Sequence, residues 1–217
     1  MSKTVHHLKM QHESKLPDHF PEDVRYTRTL VEQYLKRFTT PNDLVLDPFM
    51  GFGTTLVVAE SMKRRAVGVE FDSARCDYVK SLLSESNADW VLCGDSRQIS
   101  KLNLPQIDFS ITSPPYMGKN HTENPFTAYS TLGDGYQAYL QDLKNIYAQI
   151  ATLLKPGAHV VIEVSNLKHE DGTLTTLAWD LAREVSLVLD FQGEEIIAWE
   201  PTYAYGYDHS YCLVFKK

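Results

Sequence analysis

The chain has 217 residues, 43% of them hydrophobic, and carries a formal net charge of −7 at pH 7. This length and apolar content predict a single domain with a buried core. The acidic balance argues against a protein that coats nucleic acid without specificity, because such binding needs clustered lysine and arginine. The sequence contains no apolar stretch of about 18 residues, so we expect no membrane span. Its polar start argues against a signal peptide, and we expect a cytoplasmic protein.

Metal binding is not expected from the sequence. CxxC and HExxH are spacings typical of zinc sites. The three cysteines form no CxxC pair, and the eight histidines form no HExxH pair. The histidines near the start, His6, His7 and His12, lie in a polar segment, and we predict that they are solvated.

The predicted elements begin with an N-terminal segment, residues 1–42, that contains Pro17, Pro21 and a helical stretch at 25–37. We expect it to cap a domain formed by residues 43–217, in which short apolar runs alternate with amphipathic stretches. Predicted strands cover 43–49, 65–71, 90–94, 107–112, 159–164, 195–199 and 211–215, and predicted helices cover 54–63, 72–86, 136–154 and 174–189.

This alternation predicts an α/β fold with a doubly wound, mostly parallel sheet of seven strands. The apolar runs are rich in Val, Ile and Leu, as expected for strands that are covered on both faces. The last two strands follow one another without a helix between them. This predicts an antiparallel strand near one edge of the sheet.

A glycine-containing loop follows the first predicted strand and runs from Asp47 through Gly51 and Gly53 to Thr55. Its glycines let the backbone approach a ligand closely at the start of a helix. The loop matches neither a full GxGxxG nor a GxxxxGK[ST] motif. A dinucleotide is therefore not the first choice of ligand, and the loop is not predicted to be a phosphate-binding P-loop. The acid at the strand tip favours a cationic or amino-bearing ligand.

Acidic residues also follow the next two predicted strands. Glu70 ends the second strand, where a carboxylate can bind the hydroxyl groups of a ribose. Asp95 follows the third strand, where it can read an adenine amino group, although either acid can also serve as a helix cap or begin a turn. All these acids lie on the carboxyl side of one predicted sheet, and together they favour S-adenosylmethionine over NAD.

The fourth predicted strand ends in Ser113, Pro114, Pro115 and Tyr116. Neither proline has an N–H to donate, so the chain can continue neither as a strand nor as a helix. The result is a stiff rim with a hydroxyl, a carbonyl without a strand partner and an aromatic ring. These groups suit a flat molecule that bears an amino group, and a plain strand-ending turn is the alternative.

With these residues the chain resembles the S-adenosylmethionine-dependent amino-methyltransferases, the family that methylates N4 of cytosine or N6 of adenine in DNA. Two motifs carry the resemblance: the DPFxGxGTT loop at 47–55 and the [DNS]PP[YFW] tetrapeptide at 113–116. Residues 20–24 resemble the family's cofactor-capping motif, and residues 209–216 resemble its terminal strand. Phe52 departs from the family pattern, in which serine is commoner there.

The resemblance implies a class I, Rossmann-like methyltransferase fold with S-adenosyl-L-methionine as cofactor, and residues 1–42 as a cofactor-capping segment. It implies a nucleic acid substrate, DNA in preference to RNA, and a restriction enzyme or a second copy of the chain as a further partner. The implied catalytic residues are Ser113, Pro114, Pro115 and Tyr116, and the implied cofactor-binding residues are Asp47, Pro48, Phe49, Gly51, Gly53, Thr54, Thr55, Glu70, Asp95 and Phe20.

By the same resemblance, Ser113 and the Pro114 carbonyl accept hydrogen bonds from the amine of a flipped-out base, on which Tyr116 stacks. A cytosine C5-methyltransferase is rejected, because no cysteine lies where its nucleophile is needed. Ser113 favours N4 of cytosine, because the adenine enzymes more often carry Asp or Asn at this position. Residues 117–135 form a polar loop that we expect to contact the substrate.

Two alternatives stay open at this point. In the first, the chain is an RNA enzyme, because the same kind of tetrapeptide serves in the methylation of exocyclic amines of bases in RNA. The acidic balance of the chain favours this alternative. A member that binds the cofactor without catalysis is the second alternative, and two intact motifs argue against it.

Overall fold

Helices and strands alternate along the parts of the chain that this computed structural model describes, residues 3–12, 15–20, 25–121, 124–127, 135–201 and 203–217. The helices are α1 (Arg28–Phe38), α2 (Thr54–Ser61), α3 (Ser73–Leu82), α4 (Glu85–Ala88), α5 (Gly135–Leu153) and α6 (Leu177–Val185). The strands are β1 (Val5–Lys9), β2 (Leu44–Asp47), β3 (Arg65–Glu70), β4 (Val91–Cys93), β5 (Ile107–Thr112), β6 (Leu154–Val164), β7 (Leu167–Lys168), β8 (Leu174–Thr175), β9 (Asp190–Glu200) and β10 (His209–Lys216).

The main sheet has the strand order β1-β9-β10-β6-β5-β2-β3-β4. Strand β10 runs antiparallel to both β6 and β9, and every other neighbouring pair is parallel. The α/β fold class and the antiparallel strand near one edge are therefore confirmed. A separate antiparallel pair is formed by β7 and β8.

The sheet has eight strands rather than the seven predicted, because β1 pairs in parallel with β9 at one edge. Its burial alternates between exposed and half-buried residues. An edge strand packed in this way needs no continuous apolar run, so the sequence carried little signal for it. His6, predicted to be solvated, lies in this strand and bonds to Glu195 at 3.0 Å, which corrects that prediction.

Both faces of the sheet are covered, and β2 illustrates how. Leu44 and Leu46 enter the hydrophobic cluster that contains residues of α5 and α6, whereas Val45 enters the cluster that contains residues of α1, α2 and α3. All three side chains are fully buried. Alternate residues of one strand thus fill two cores, which explains the near-continuous apolar runs of the sequence.

Helix boundaries follow local chemistry. Asp72 caps α3 through hydrogen bonds from the N–H groups of Ala74 and Arg75. Helix α6 is shorter than the predicted 174–189, because Leu174 and Thr175 pair with β7 instead.

In the described ranges no helix is long and apolar enough to cross a membrane, and no group of three His, Cys, Asp or Glu side chains could hold a metal ion.

Candidate active site

Four parallel strand ends bring most of the predicted residues to one edge of the sheet. Strands β2 to β6 run parallel, so their carboxyl ends and the loops that follow share that edge. Asp47 and Glu70 end β2 and β3, Asp95 lies shortly after β4, and Ser113 directly follows β5. Segments far apart in the chain therefore form one candidate site.

Asp47 is a buried hub between the first loop (residues 47–55) and the tetrapeptide (residues 113–116). Its carboxylate accepts hydrogen bonds from the hydroxyls of Thr55 and Thr112, both at 2.6 Å. The Tyr26 hydroxyl and the Phe49 N–H also donate to it, at 3.0 and 3.1 Å. Burial raises the pKa of Asp47, against the lowering effect of these donors. Because Thr112 precedes the tetrapeptide, Asp47 fastens the two motifs together.

The two glycines of the first loop have different surroundings, and the backbone is open at Gly51 only. Gly51 has φ +51°, and a Cβ added there would meet no atom closer than the Phe49 carbonyl oxygen at 4.0 Å. Gly53 has φ +77°, and its Cβ would lie 2.6 Å from the Val79 side chain, so α3 packs against the loop only because Gly53 lacks a side chain. No side chain caps the start of α2, which leaves its first N–H groups available to a ligand.

Glu70 and Asp95 already have protein partners. Glu70 accepts hydrogen bonds from the N–H groups of Gly51 at 3.1 Å and Asp72 at 2.8 Å, and burial raises its pKa. Asp95 forms an ion pair with Arg97 at 2.7 Å. Although burial raises the pKa of Asp95, the hydrogen bonds from Arg97 outweigh it and lower the pKa. Contact of either acid with a cofactor stays a prediction.

Other residues of the first loop join it to neighbouring elements. The Pro48 carbonyl accepts a hydrogen bond from the Ser96 hydroxyl, and Thr54 begins α2. The Phe49 ring lies 5.7 Å from the Phe126 ring, which in turn stacks on a tyrosine of α5. These contacts fix the position of the loop relative to α5.

Phe20 contacts the first loop through an aromatic cluster. Its ring centroid lies 4.9 Å from that of Phe52 and 5.6 Å from that of Tyr78, and the Arg75 guanidinium lies 4.8 Å from the Phe52 centroid. Phe52, where the family more often has serine, thus links the N-terminal segment to the loop. The rest of the predicted capping motif, 21–24, lies outside the described residues.

The tetrapeptide is held from behind by α5 and β6. Pro114 is buried, whereas Ser113 and Tyr116 are half-buried. The Tyr139 hydroxyl of α5 donates to the Pro115 carbonyl at 2.8 Å, and the Tyr116 hydroxyl donates to Glu163 Oε2 at 3.2 Å. Burial raises the pKa of Tyr116, so its hydroxyl stays protonated at neutral pH and keeps this donor role.

Glu163 is the site residue that the sequence analysis missed. It lies in β6 with 1% exposure, and the hydroxyls of Ser113, Tyr116, Tyr203 and Ser210 face its carboxylate. These hydroxyls lower the pKa of Glu163, but burial has the larger, raising effect. Its Oε1 has no close hydrogen-bond partner among the described residues. A single acid within an apolar strand run was the available signal.

The start of the polar loop, residues 117–135, is fastened to the β7–β8 pair. Met117 is fully buried, and the Lys119 N–H donates to the Thr175 hydroxyl at 2.9 Å. A Cβ at Gly118 would lie 2.6 Å from the His169 ring. Residues 122, 123 and 128–134 of this loop lie outside the described residues, so its predicted contact with substrate stays a prediction.

Comparisons with known proteins find relatives of the part of the chain that contains the first loop. A family model described as DNA methylase matches residues 5–81, which include the first loop. The type II methyltransferase M.BglII of Bacillus subtilis is 38% identical over 68 residues, which are 31% of this chain and 17% of that protein. The match therefore spans less than a fifth of the relative's length.

Solved structures share the fold. TrmN from Thermus thermophilus superposes with a TM-score of 0.63 at 18% identity, over 88% of this chain and 49% of that one. SMU.1697c, described as a putative methyltransferase from Streptococcus mutans in complex with SAH, superposes with a TM-score of 0.55 at 15% identity, over 90% of this chain and 100% of that one.

Proposed function

We propose that this chain methylates the exocyclic amino group of a base in DNA. The proposal takes as its premise that the chain belongs to the S-adenosylmethionine-dependent DNA amino-methyltransferase family. The observation that carries the proposal is the shared sheet edge at which the first loop, the tetrapeptide and the buried Glu163 meet. Ser113 at the first position of the tetrapeptide leads us to favour N4 of cytosine over N6 of adenine.

The cofactor of this family is S-adenosylmethionine, which when bound supplies an electrophilic methyl group. The first loop fits this molecule, because the open backbone at Gly51 admits close approach. Glu70 at the adjacent strand end offers a carboxylate of the kind that binds ribose hydroxyls. The uncapped start of α2 offers N–H donors beside them.

The chemical task of the tetrapeptide is to improve a poor nucleophile. An exocyclic amine is weak because its lone pair is delocalised into the ring. Acceptors at Ser113 Oγ and at the Pro114 carbonyl hold the two N–H groups and direct the lone pair outward. The Tyr116 ring provides a stacking face, and in duplex DNA the base reaches it only after flipping out of the stack.

Glu163 completes this arrangement by orienting Ser113. The Ser113 hydroxyl faces the Glu163 carboxylate, and by donating its proton there it turns its lone pairs toward the substrate amine. Methylation leaves a surplus proton on the nitrogen. Because burial raises the pKa of Glu163, this carboxylate is suited to accept that proton through Ser113.

Methyl-labelled cofactor with separate DNA and RNA pools, followed by nucleoside analysis, tests the proposal. The expected product is N4-methylcytosine in DNA, and N6-methyladenine in DNA would reverse the base preference alone. Label that enters only RNA would replace the DNA substrate with the alternative, and cofactor binding without any transfer would make this a non-catalytic member. The name of M.BglII, a type II methyltransferase, extends the proposal to a role beside a restriction enzyme.

The ring of Tyr116 gives a matched pair of variants. Tyr116→Ala is expected to abolish methyl transfer and to leave cofactor binding intact, because the stacking face is lost and the first loop is not touched. Tyr116→Phe keeps the ring and loses the hydroxyl bond to Glu163, so we expect partial activity. Rates are measured by label incorporation and cofactor affinity by calorimetry, and full activity of Tyr116→Ala would refute this assignment.

A further inference from the structure

A cavity lies beside the tetrapeptide at the loop between β9 and β10. Its volume is about 610 Å³, and it is lined by Lys168 and residues 203–209, a set that we call the loop cavity. None of these residues belongs to the predicted site. The loop stands at the catalytic edge of the sheet, because β10 begins opposite the carboxyl end of β6, where Tyr211 pairs with Val164.

The loop cavity adjoins the tetrapeptide through a contact between two aromatic rings. The Tyr205 ring, 44% exposed, lies 5.2 Å from the Tyr116 ring at an interplanar angle of 44°. Since Tyr116 is the proposed stacking face for the target base, the cavity lies where the strand would continue from that base.

Aromatic rings extend outward from the cavity in a row. The Tyr207 and His209 centroids are 5.2 Å apart, and the His209 and Tyr211 centroids are 5.3 Å apart. The row ends at Trp179 of α6, 4.9 Å from Tyr211 and 43% exposed. Surfaces that bind single strands use rings in this way, because every base has a face that can stack.

Lys168 supplies a positive charge within the cavity. Its Nζ lies 4.2 Å from the Tyr207 ring centroid and donates to the Gly206 carbonyl at 3.0 Å. The carboxylate of the cavity, Asp208, is paired with His209 at 2.8 Å and is 79% exposed. The His209 hydrogen bond lowers the pKa of this carboxylate most, and Lys168 also attracts it and lowers its pKa, so a phosphate at Lys168 competes with an exposed side chain that can turn into solvent.

We propose that the loop cavity binds the nucleotide next to the methylated base, with its base on Tyr207 and its phosphate near Lys168. This rests on the proposed function, because it takes the substrate strand to pass over Tyr116. The preferred ligand is a locally unpaired strand, since bases inside a duplex cannot stack on protein rings. Stacking would also let an acidic chain bind a polyanion with few basic contacts.

Equilibrium binding of a fluorescent, short single-stranded DNA to the full chain, with S-adenosylhomocysteine present, tests the subsite. Tyr207→Ala is expected to weaken binding by about ten-fold, the effect of losing one base–aromatic stack. Tyr207→Phe keeps the ring and is expected to bind as the wild type does. The matched control is Phe191→Ala, because Phe191 is 40% exposed and contacts Phe215 at the far end of the β9–β10 pair.

Methyl-transfer kinetics separate this proposal from the proposed function. For single-stranded DNA, Tyr207→Ala should raise KM and leave kcat unchanged. Unchanged strand binding in Tyr207→Ala, an equal loss in Phe191→Ala, or no strand binding by the wild type would each overturn the subsite. Strand binding that depends on Tyr207 without methyl transfer to any nucleic acid would keep the subsite and overturn the proposed function.

Discussion

At the scale of single residues, the buried carboxylate of Glu163 behind the tetrapeptide is a feature that a plain strand-ending turn does not require. A carboxylate with 1% exposure normally requires a cation, and no ion pair to Glu163 occurs among the described residues. Hydroxyl groups face it instead, and they leave Oε1 without a close hydrogen-bond partner among the described residues. Such an environment costs stability and is typical of a functional carboxylate.

Replacing this carboxylate with an amide separates function from folding. Glu163→Gln should lower methyl transfer by about 100-fold or more, the usual contribution of a general base. Cofactor affinity should not change, because the first loop is untouched. The melting temperature should hold or rise, since the amide carries no buried charge and the surrounding hydroxyls can rotate to accept its hydrogens. A matching fall in melting temperature would assign Glu163 a structural role.

The pH dependence of Glu163 has a definite sign. Its pKa in the folded protein is raised above the ordinary 4.5, so the folded state binds this proton more tightly than the unfolded state. The resulting stabilisation is complete below the unfolded pKa and is lost as pH rises through the folded pKa. We therefore expect transfer to increase with pH through that window while the stability advantage of Glu163→Gln over wild type grows. A pH-independent difference would contradict the assignment.

At the scale of elements, the attachment of β1 depends on a buried acid in β9. Glu195 has 5% exposure and accepts hydrogen bonds from His6 at 3.0 Å and Tyr34 at 2.9 Å, as well as from Arg37. One carboxylate thus joins β1, α1 and β9. The prediction that His6 is solvated failed because its partner lies far away in the chain.

Removal of that charge should loosen the N-terminal elements. Glu195→Gln is expected to lower the free energy of unfolding by about 1–3 kcal/mol, because three donors lose a charged acceptor. The Arg37 side chain is 37% exposed, so its ion pair adds little. Glu194→Gln, at the neighbouring exposed position, is the control for urea denaturation. Equal effects of the two variants would show that the cluster does not stabilise the fold.

Elements with a strong local signal were predicted well. The strands that became β2, β3 and β5 are apolar runs, and Asp72 caps α3 as its residue type suggested. Strand β1 and the β7–β8 pair were missed, because a short or edge strand is stabilised by pairing with distant residues. Leu174 was assigned to a helix for the same reason, although its backbone pairs with Lys168.

At the scale of the whole molecule, the net charge of −7 limits how nucleic acid can be held. Few phosphates can be neutralised, so strand binding should depend weakly on salt. We expect log K against log salt to have a slope of about −0.7 to −1.4, which corresponds to one or two phosphates of a single strand. Lys168→Gln should make the slope shallower by about 0.7. A steep slope that Lys168→Gln leaves unchanged would place the phosphate contacts elsewhere.

The sequence by itself determined the two motifs, the α/β alternation and the resemblance to a methyltransferase family, because each depends on residues that are close together in the chain. Only the tertiary structure decided that Asp47 is a buried hub, that Glu163 stands behind Ser113 and Tyr116, and that Tyr205 adjoins Tyr116. Those relations join residues that are far apart in the chain. They meet because the parallel strands end at one edge of the sheet, and because β10 begins opposite the carboxyl end of β6 and so brings the loop before it to the same edge.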